Sequence, residues 1–216
     1  MKIRYLGHSC FLFADGAGTR IVTDPYGDVG FCMPRVQADG VTVSHAHFDH
    51  CNVSTVEGNP AVFNKADRFG LGGVQISATE SFHDDAKGKK RGSNLIFHYQ
   101  MDGLHLCHLG DLGEKCSSSL VNAIGSVDVL LIPVGGNYTI DAMQAKEYID
   151  RIRPAVVIPM HYKTDGLDIN IGGLDEFLRL FDRDVAIEYR GSEISLLPEN
   201  LKANTTKIIV MERERA

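Results

Sequence analysis

Short apolar runs separated by turns that contain glycine or proline recur along most of the chain. The runs are rich in Val, Ile, Leu and Phe, and several alternate apolar with polar residues, which is typical of β-strands. This pattern predicts strands over Lys2–Leu6, Cys10–Ala14, Arg20–Thr23, Val41–Ser44, Ala61–Asn64, Val74–Thr79, Asn94–Gln100, Leu104–Leu109, Val127–Val134, Ala155–Met160, Val185–Tyr189, Ile194–Leu197 and Lys207–Met211.

Three segments have apolar residues three or four positions apart, which predicts helices. They are Glu114–Ile124, a segment from Thr139 to about Arg153, and Leu174–Phe181. Thr139 is the predicted cap of the second helix, and Pro154 ends it. No internal repeat at a fixed short period is present. Strands interleaved with helices therefore predict one domain of the mixed α/β (α+β) class over residues 1–216.

The composition is ordinary for a globular domain, with 44% apolar and 23% charged residues. We find no apolar stretch of about 18 residues and no basic leader followed by an apolar run, so we expect a cytoplasmic protein with no membrane partner. The net charge of −6 and a basic cluster confined to one glycine-containing loop, 87–91, argue against nucleic acid as a partner. The oligomeric state, including a homo-oligomer, stays open.

Candidate metal ligands are concentrated in the stretch Ser44–Asn52, which follows the predicted strand Val41–Ser44. Within it His45, His47, Asp49 and His50 form an H-x-H-x-D-H run. A solvated polar loop is the alternative. However, imidazole and carboxylate are the usual ligands of zinc and similar metals, and burying them so close together requires partners. The run therefore predicts a metal site at the end of a strand.

Three further candidates, His83, Asp111 and His161, also follow predicted strands. Asp24 stands before Pro25, where a strand should end. Its carboxylate suits a group that receives the free N–H of a ligand histidine. His98, His105 and His108 fall within a predicted hairpin and are interpreted as ordinary strand residues.

These motifs together resemble the metallo-β-lactamase superfamily over nearly the whole chain. The matching pieces are Gly7-His8-Ser9-Cys10, Thr23-Asp24-Pro25, the H-x-H-x-D-H run, and the segments around His83, Asp111 and His161. Segments 133–139 and 159–162 are similar to a small branch of ascorbate-6-phosphate lactonase-like proteins and metal-dependent hydrolases. The resemblance implies a four-layer αββα sandwich. It also implies two metal positions, one held by His45, His47 and His83 and the other by Asp49, His50 and His161, with Asp111 bridging them.

The implied chemistry is hydrolysis of a small anionic ester, lactone or phosphodiester by a metal-bound hydroxide, with Asp49 and Asp111 at the catalytic centre. Two divalent ions are the expected cofactors. Zinc is favoured, and manganese, nickel or iron also suit the donors. Asp111 stands where the antibiotic-destroying branch often has cysteine, which argues against β-lactamase activity. A nuclease or cyclic-nucleotide phosphodiesterase and a non-catalytic metal-binding protein are the alternatives.

The sequence also contains candidate substrate-binding residues. The segment Gly135–Thr139 could offer backbone N–H groups to an anion at a helix start, or it could be a glycine-eased turn without a ligand. Asn137, Tyr138, Tyr162 and Lys163 are candidate pocket residues because they lie near metal-binding motifs in sequence. His8 is either a structural histidine or a wall of the pocket. Residues 26–40 read as a loop long enough to form a lid or a pocket rim.

Overall fold

The computed structural model describes residues 1–182, 185–201 and 205–215, and the predicted domain 1–216 extends into residues outside these ranges. The first ten strands of the described chain are β1 (Lys2–Gly7), β2 (Cys10–Ala14), β3 (Arg20–Thr23), β4 (Val36–Gln37), β5 (Gly40–Thr42), β6 (Val56–Glu57), β7 (Ala61–Phe63), β8 (Arg68–Leu71), β9 (Val74–Phe82) and β10 (Ser93–Met101). The next six are β11 (Leu104–His108), β12 (Val129–Pro133), β13 (Val156–Met160), β14 (Ala186–Arg190), β15 (Glu193–Ser195) and β16 (Lys207–Met211).

These strands form two large sheets and one small pair. The first sheet has six strands in the order β15-β1-β2-β3-β5-β7, and the second has eight in the order β14-β16-β13-β12-β11-β10-β9-β8. In the second sheet, β9, β10 and β11 are antiparallel, whereas β11, β12, β13, β16 and β14 run parallel. Strands β4 and β6 pair separately.

The main hydrophobic core lies between the two large sheets. Alternate residues of each strand point into it, as Phe11 and Phe13 do from β2 and Phe97 and Tyr99 do from β10. Strands β12 and β13 are buried along their whole length because they are covered on both faces. Their continuous apolar sequence follows from this position in the parallel part of the sheet.

The outer faces of the two sheets are covered differently. Helices α1 (Ser118–Ile124), α2 (Ala142–Ile152) and α3 (Leu174–Leu178) pack on the outer face of the eight-stranded sheet. The outer face of the six-stranded sheet packs against loop residues such as Tyr26, Val29 and Leu167, and among the described residues no α-helix joins this cluster. The mixed α/β sandwich that the sequence predicts is confirmed, with loops forming the layer outside its first sheet.

Several element boundaries differ from the sequence-based predictions. Helix α1 begins at Ser118 rather than Glu114, because the Ser117 hydroxyl caps it and the Glu114 carboxylate instead accepts the N–H of Phe82. Helix α3 ends at Leu178 rather than Phe181. The short strands β4, β6 and β8, of two to four residues each, were not predicted.

The start of helix α2 is also corrected. Its cap is Asp141, not Thr139. The Asp141 carboxylate accepts the N–H of Gln144 at 2.8 Å, and the Gln144 side chain accepts the N–H of Asp141 at 3.0 Å, which completes a capping box. Thr139 donates its hydroxyl to the backbone oxygen of Ile140 instead.

None of the helices in the described ranges combines the length and the apolar character that crossing a bilayer requires.

The capping box gives a stability prediction. Asp141→Ala leaves an N–H at the start of α2 without its acceptor, and we expect it to lower the free energy of unfolding by about 0.5–2 kcal/mol. Chemical denaturation of wild type and variant measures this change. Thr139→Ala is the matched control and should cost less, because the Thr139 hydroxyl caps no helix N–H. An equal or larger loss in the Thr139 variant would show that the cap is assigned to the wrong residue.

Candidate metal centre

The predicted metal ligands meet at one edge of the sandwich because each follows the end of a strand. His83 follows β9, His161 follows β13, and Asp111 lies three residues beyond β11. Backbone hydrogen bonds hold these strand ends together across the two sheets. The N–H of Leu95 donates to Ser44 at 2.9 Å, and the N–H of His161 donates to the backbone oxygen of His8 at 3.1 Å. The ligand candidates therefore sit on a rigid edge rather than on a free loop.

The side chains at this edge form overlapping groups whose donor atoms lie within 4.8 Å of one another. One group is His45, His47 and His83, a second is His8, Asp49, His50 and His161, and a third joins His45 and His50 to Asp111. The structure thus brings together all seven predicted ligands and adds His8.

Asp111 stands between the first two groups. Its Oδ1 lies 3.2 Å from His50 Nε2, and its Oδ2 lies 3.2 Å from His161 Nε2 and 3.3 Å from His83 Nε2. A single carboxylate thus faces imidazoles from both groups. This is the position that a bridging ligand would need.

Asp24 orients two of these histidines from behind. Its Oδ2 accepts the Ser44 hydroxyl at 2.6 Å and lies 2.9 Å from His50 Nδ1. Because the Ser44 hydroxyl donates to Asp24, it can only accept from His45 Nδ1, which lies 2.9 Å away. Both imidazoles therefore keep their protons on Nδ1 and present Nε2 to the centre. This is the carboxylate–histidine arrangement that the sequence predicts for Asp24.

The backbone at the centre is held in conformations that residues other than glycine rarely adopt. His8, Asp24 and His161 all have positive φ, at 54°, 41° and 51°. Gly110, just before Asp111, has a φ of 56°, and a Cβ there would lie 2.4 Å from the Asn94 side chain. Such strain persists only where the surrounding packing fixes the chain, and it is common at functional sites.

Burial and close packing set the ionisation of the group. Burial lowers the pKa of His45 to about 3 and that of His8 to about 4, so both imidazoles are neutral. For Asp49 and Asp111 burial raises the pKa, but the facing histidines outweigh it and hold both values well below the ordinary range. The centre therefore offers ionised carboxylates beside the neutral imidazoles of His8 and His45.

His50 behaves differently because carboxylates surround it. Burial lowers its pKa, but Asp111, Asp24 and Asp49 together raise the pKa well above the usual value. A proton held there would have to leave when a cation binds, as expected for a histidine ligand. The buried Nε2 atoms of His45 and His50 and the Oδ1 atom of Asp111 have no hydrogen-bond partner. Orphaned donor atoms of this kind fit a divalent metal ion.

A cavity of about 560 Å³ opens onto this centre. This volume is typical of small-molecule sites. Besides metal-centre residues, its wall contains five side chains that the sequence analysis did not assign to a pocket: Phe48, Arg91, Asp168, Ile169 and Asn170. Phe48 lies inside the H-x-H-x-D-H run, so its position could have been noticed. The others come from loops that are distant in sequence from their neighbours on the wall.

The predicted substrate residues are only partly placed at the cavity. Tyr138 lines it, and the Asn137 side chain donates to the backbone oxygen of Asn170 at 2.7 Å and so supports the wall. Tyr162 does not line the cavity, contrary to the prediction, because its side chain is buried in the hydrophobic cluster under the helices. Lys163 also does not line the cavity, contrary to the prediction. Its Nζ instead donates to the backbone oxygens of Leu167 and Ile169 and stabilises the loop that contains them.

The segment Gly135–Thr139 is a glycine-containing turn and does not form an anion site at a helix start. The N–H of Gly135 donates to His161 at 3.0 Å, and the N–H of Tyr138 donates to Gly136 at 2.7 Å. Helix α2 begins only at Ala142. Gly135 itself is required by close packing, because a Cβ there would lie 2.3 Å from the backbone oxygen of His161.

Two remaining expectations concern His108 and the loop 26–40. His108 accepts the N–H of Gly110 and contacts the backbone oxygen of Ser9 at 2.9 Å, so it ties strand ends together as a structural residue. In the loop, Val29 accepts the N–H of Asp168 at 2.7 Å. Within the described residues this loop does not line the cavity. It supports the 166–170 segment that does, which corrects the lid interpretation.

Comparisons with known proteins agree with this fold. The family model for the beta-lactamase superfamily domain matches residues 2–161. A UPF0173 metal-dependent hydrolase of Methanoculleus marisnigri is 31% identical, over 92% of this chain and 98% of its own. The crystal structure of a Thermotoga maritima protein, named as a Zn-dependent hydrolase of the metallo-beta-lactamase superfamily, superposes with a TM-score of 0.79. That protein is 39% identical and covers 98% of this chain and 99% of its own.

A metallo hydrolase from Ignicoccus hospitalis has the same fold, with a TM-score of 0.61 and 22% identity over 83% of this chain and 89% of its own.

The contacts of Asp24 generate a prediction about metal affinity. Asp24→Asn keeps the shape of the side chain but removes the charge that faces His50, and we expect metal affinity to fall about 10–100-fold while the fold is kept. Competition with a chromogenic chelator measures the affinity. Asp39→Asn is the matched control, because Asp39 accepts the N–H of Arg20 at the far end of the same strand β3. Equal affinities in the two variants would reduce Asp24 to a residue that ends a strand.

Proposed function

This chain belongs to the β-lactamase superfamily and is a metal-dependent hydrolase. We propose that it uses two divalent ions to hydrolyse a small anionic ester, lactone or phosphodiester. The observation that carries the proposal is the position of Asp111. Its carboxylate faces imidazoles of both ligand groups at 3.2–3.3 Å, although each group is built from different strand ends. A carboxylate shared in this way is expected where two ions lie side by side.

In this proposal each group of side chains holds one ion. His45, His47 and His83 hold the first, and Asp49, His50 and His161 hold the second. When bound, such ions lower the pKa of water and stabilise negative charge that develops on the substrate. His8 is assigned a positioning role, because its neutral imidazole can donate from Nε2 to Asp49 Oδ2 at 3.2 Å.

Zinc is the ion that the donors favour. The groups are rich in imidazole, which suits zinc, and the Thermotoga maritima protein at 39% identity is named as Zn-dependent. Manganese, nickel and iron also bind mixed imidazole and carboxylate sites, so loading in the cell depends on their supply.

The attacking group in this proposal is water rather than a protein side chain. Among the described residues that line the cavity there is no serine, threonine or cysteine. The nearby Ser44 hydroxyl donates to Asp24, and the Cys51 thiol donates to the backbone oxygen of Ala46. Asp49 and Asp111 are ionised and can accept hydrogen bonds from a water molecule, and so orient it.

The size of the cavity favours a small-molecule substrate over a polynucleotide. A volume of about 560 Å³ accommodates one small molecule, and Arg91 is the only lysine or arginine on the wall formed by the described residues. Tracking a nucleic acid backbone requires a longer positive surface. No observation favours the nuclease alternative.

The first prediction from this proposal is the metal content. We expect about two divalent ions per chain at full loading, because a single catalytic zinc takes only three or four protein ligands. His45→Ala should empty one position and His161→Ala should weaken the other. Elemental analysis after purification without chelator counts the ions, and His105→Ala, on β11 outside the ligand groups, is the control. Fully active enzyme with at most one ion would exclude the dinuclear assignment.

The second prediction concerns the route of hydrolysis. In ¹⁸O-water, a single turnover should place the label directly in the product and leave the protein unlabelled, because no side chain forms a covalent intermediate. Mass spectrometry of product and protein measures this. Asp111→Asn should cost more activity than Cys51→Ser, which leaves the metal-binding groups intact. A trapped acyl- or phosphoryl-enzyme would overturn the direct route even with both ions bound.

A further inference from the structure

Arg91 is a cation on the wall of the cavity, and its role is not explained by the metal groups. It lines the cavity together with His47, His83 and His161. Its Nη2 donates to the backbone oxygen of Asn137 at 3.0 Å, and its guanidinium carbon lies 5.4 Å from the centre of the Tyr138 ring. In the described part of the chain no carboxylate oxygen lies within 4.0 Å of it. The backbone oxygen of Asn137 is the one acceptor that the described residues offer to this guanidinium, so most of its five N–H donors are left for a ligand.

The position of Arg91 is built by the turn that follows the ligand His83. The Asp84 carboxylate accepts four backbone N–H groups of this turn at 2.8–2.9 Å, those of Ala86, Gly88, Lys90 and Arg91. The N–H of His83 donates to the backbone oxygen of Gly92 at 3.1 Å and closes the turn. Arg91 is thus fixed relative to a metal ligand by its main chain as well as by its side chain.

The contacts of the Arg91 side chain extend this support to the opposite wall. Asn137 accepts from Arg91 and donates to the backbone oxygen of Asn170, so three separate loops meet at this point. The guanidinium of Arg91 lies over the Tyr138 ring at a distance typical of a cation–π contact. A guanidinium held over an aromatic ring keeps its planar fork free for a ligand in the cavity.

We propose that Arg91 binds a second oxyanion of the substrate, a carboxylate or phosphate separate from the bond that is hydrolysed. The inference rests on the proposed hydrolase function and specifies its substrate class. Carboxylate and phosphate share the geometry that accepts two parallel N–H bonds from one guanidinium. Asp168 is the carboxylate of this wall that belongs to none of the ligand groups, but it is exposed, so solvent screens its repulsion of the anion.

Esters of matched length test this assignment. The neutral substrate is 4-nitrophenyl hexanoate, and the anionic ones are mono-4-nitrophenyl adipate and 4-nitrophenyl 5-phosphonopentanoate. Each is assayed with wild type, Arg91→Gln and Lys90→Gln. Lys90→Gln is the matched control, because it removes a positive charge from the residue that precedes Arg91. The Nζ of Lys90 pairs with Asp85 at 2.7 Å, and Lys90 does not line the cavity.

The expected result is a selective loss in the Arg91 variant. Its kcat/KM for an anionic ester should fall about tenfold to a hundredfold relative to the neutral ester, mainly through KM, as loss of a charge-assisted hydrogen bond implies. Lys90→Gln should behave as wild type. The anionic ester with the larger loss identifies carboxylate or phosphate as the preferred group.

Other outcomes would overturn the inference without touching the hydrolase assignment. Equal losses on all three esters would make Arg91 a structural residue, and equal effects of both variants would indicate only a long-range electrostatic effect.

If wild type hydrolyses none of the esters, the proposed function fails for these substrates. Calorimetric binding of the anionic esters to the same proteins then tests Arg91 alone. Weaker binding only in Arg91→Gln supports the inference, and unchanged binding contradicts it.

Discussion

Neutralisation of buried charge at one edge of the sandwich is the constraint on which the rest of the structure depends. Asp24, Asp49 and Asp111 are all buried there, and a carboxylate removed from water without partners is strongly destabilising. All three carboxylates instead face His50, and Asp49 and Asp111 face further histidines as well. Asp24 also accepts the Ser44 hydroxyl. Such a network forms only if strands from both sheets end at the same place. The packing of these strand ends in turn holds His8, Asp24 and His161 at positive φ.

Much of the fold followed from local sequence patterns. Strands that are apolar on one or both faces, such as β2, β3 and β16, were predicted to the residue, because the buried positions of a strand are occupied by apolar residues that are visible in the sequence. Helix starts were less predictable. Asp141 and Thr139 are both good caps in isolation, and only the backbone path after β12 decides between them. Strand β8 was not predicted because it is only four residues long and contains a glycine, a residue depleted in strands.

The cluster of histidines and aspartates was predictable from the sequence, and the residues that line the cavity were not, for a physical reason. Each ligand follows a strand that the sequence identifies, so the edge where the strands end also locates the ligands. Cavity residues depend on how loops pack against one another. Arg91, Asn137 and Asn170 meet across three loops, and no local pattern encodes such a meeting. Sequence proximity was also misleading. Lys163 lies two residues after His161, yet its amine is bound to carbonyl oxygens of the following loop.

The turn held by Asp84 has a consequence for how this scaffold could change its chemistry. The Asp84 carboxylate binds backbone N–H groups near the beginning and at the end of the turn, so the main chain of segment 85–91 is held next to His83 without the help of its own side chains. Its side chains can be replaced while the Asp84 carboxylate keeps the metal ligand in place. New selectivity could therefore be engineered, or acquired in evolution, by rewriting a few loop positions, without renewed selection on the strands that build the centre.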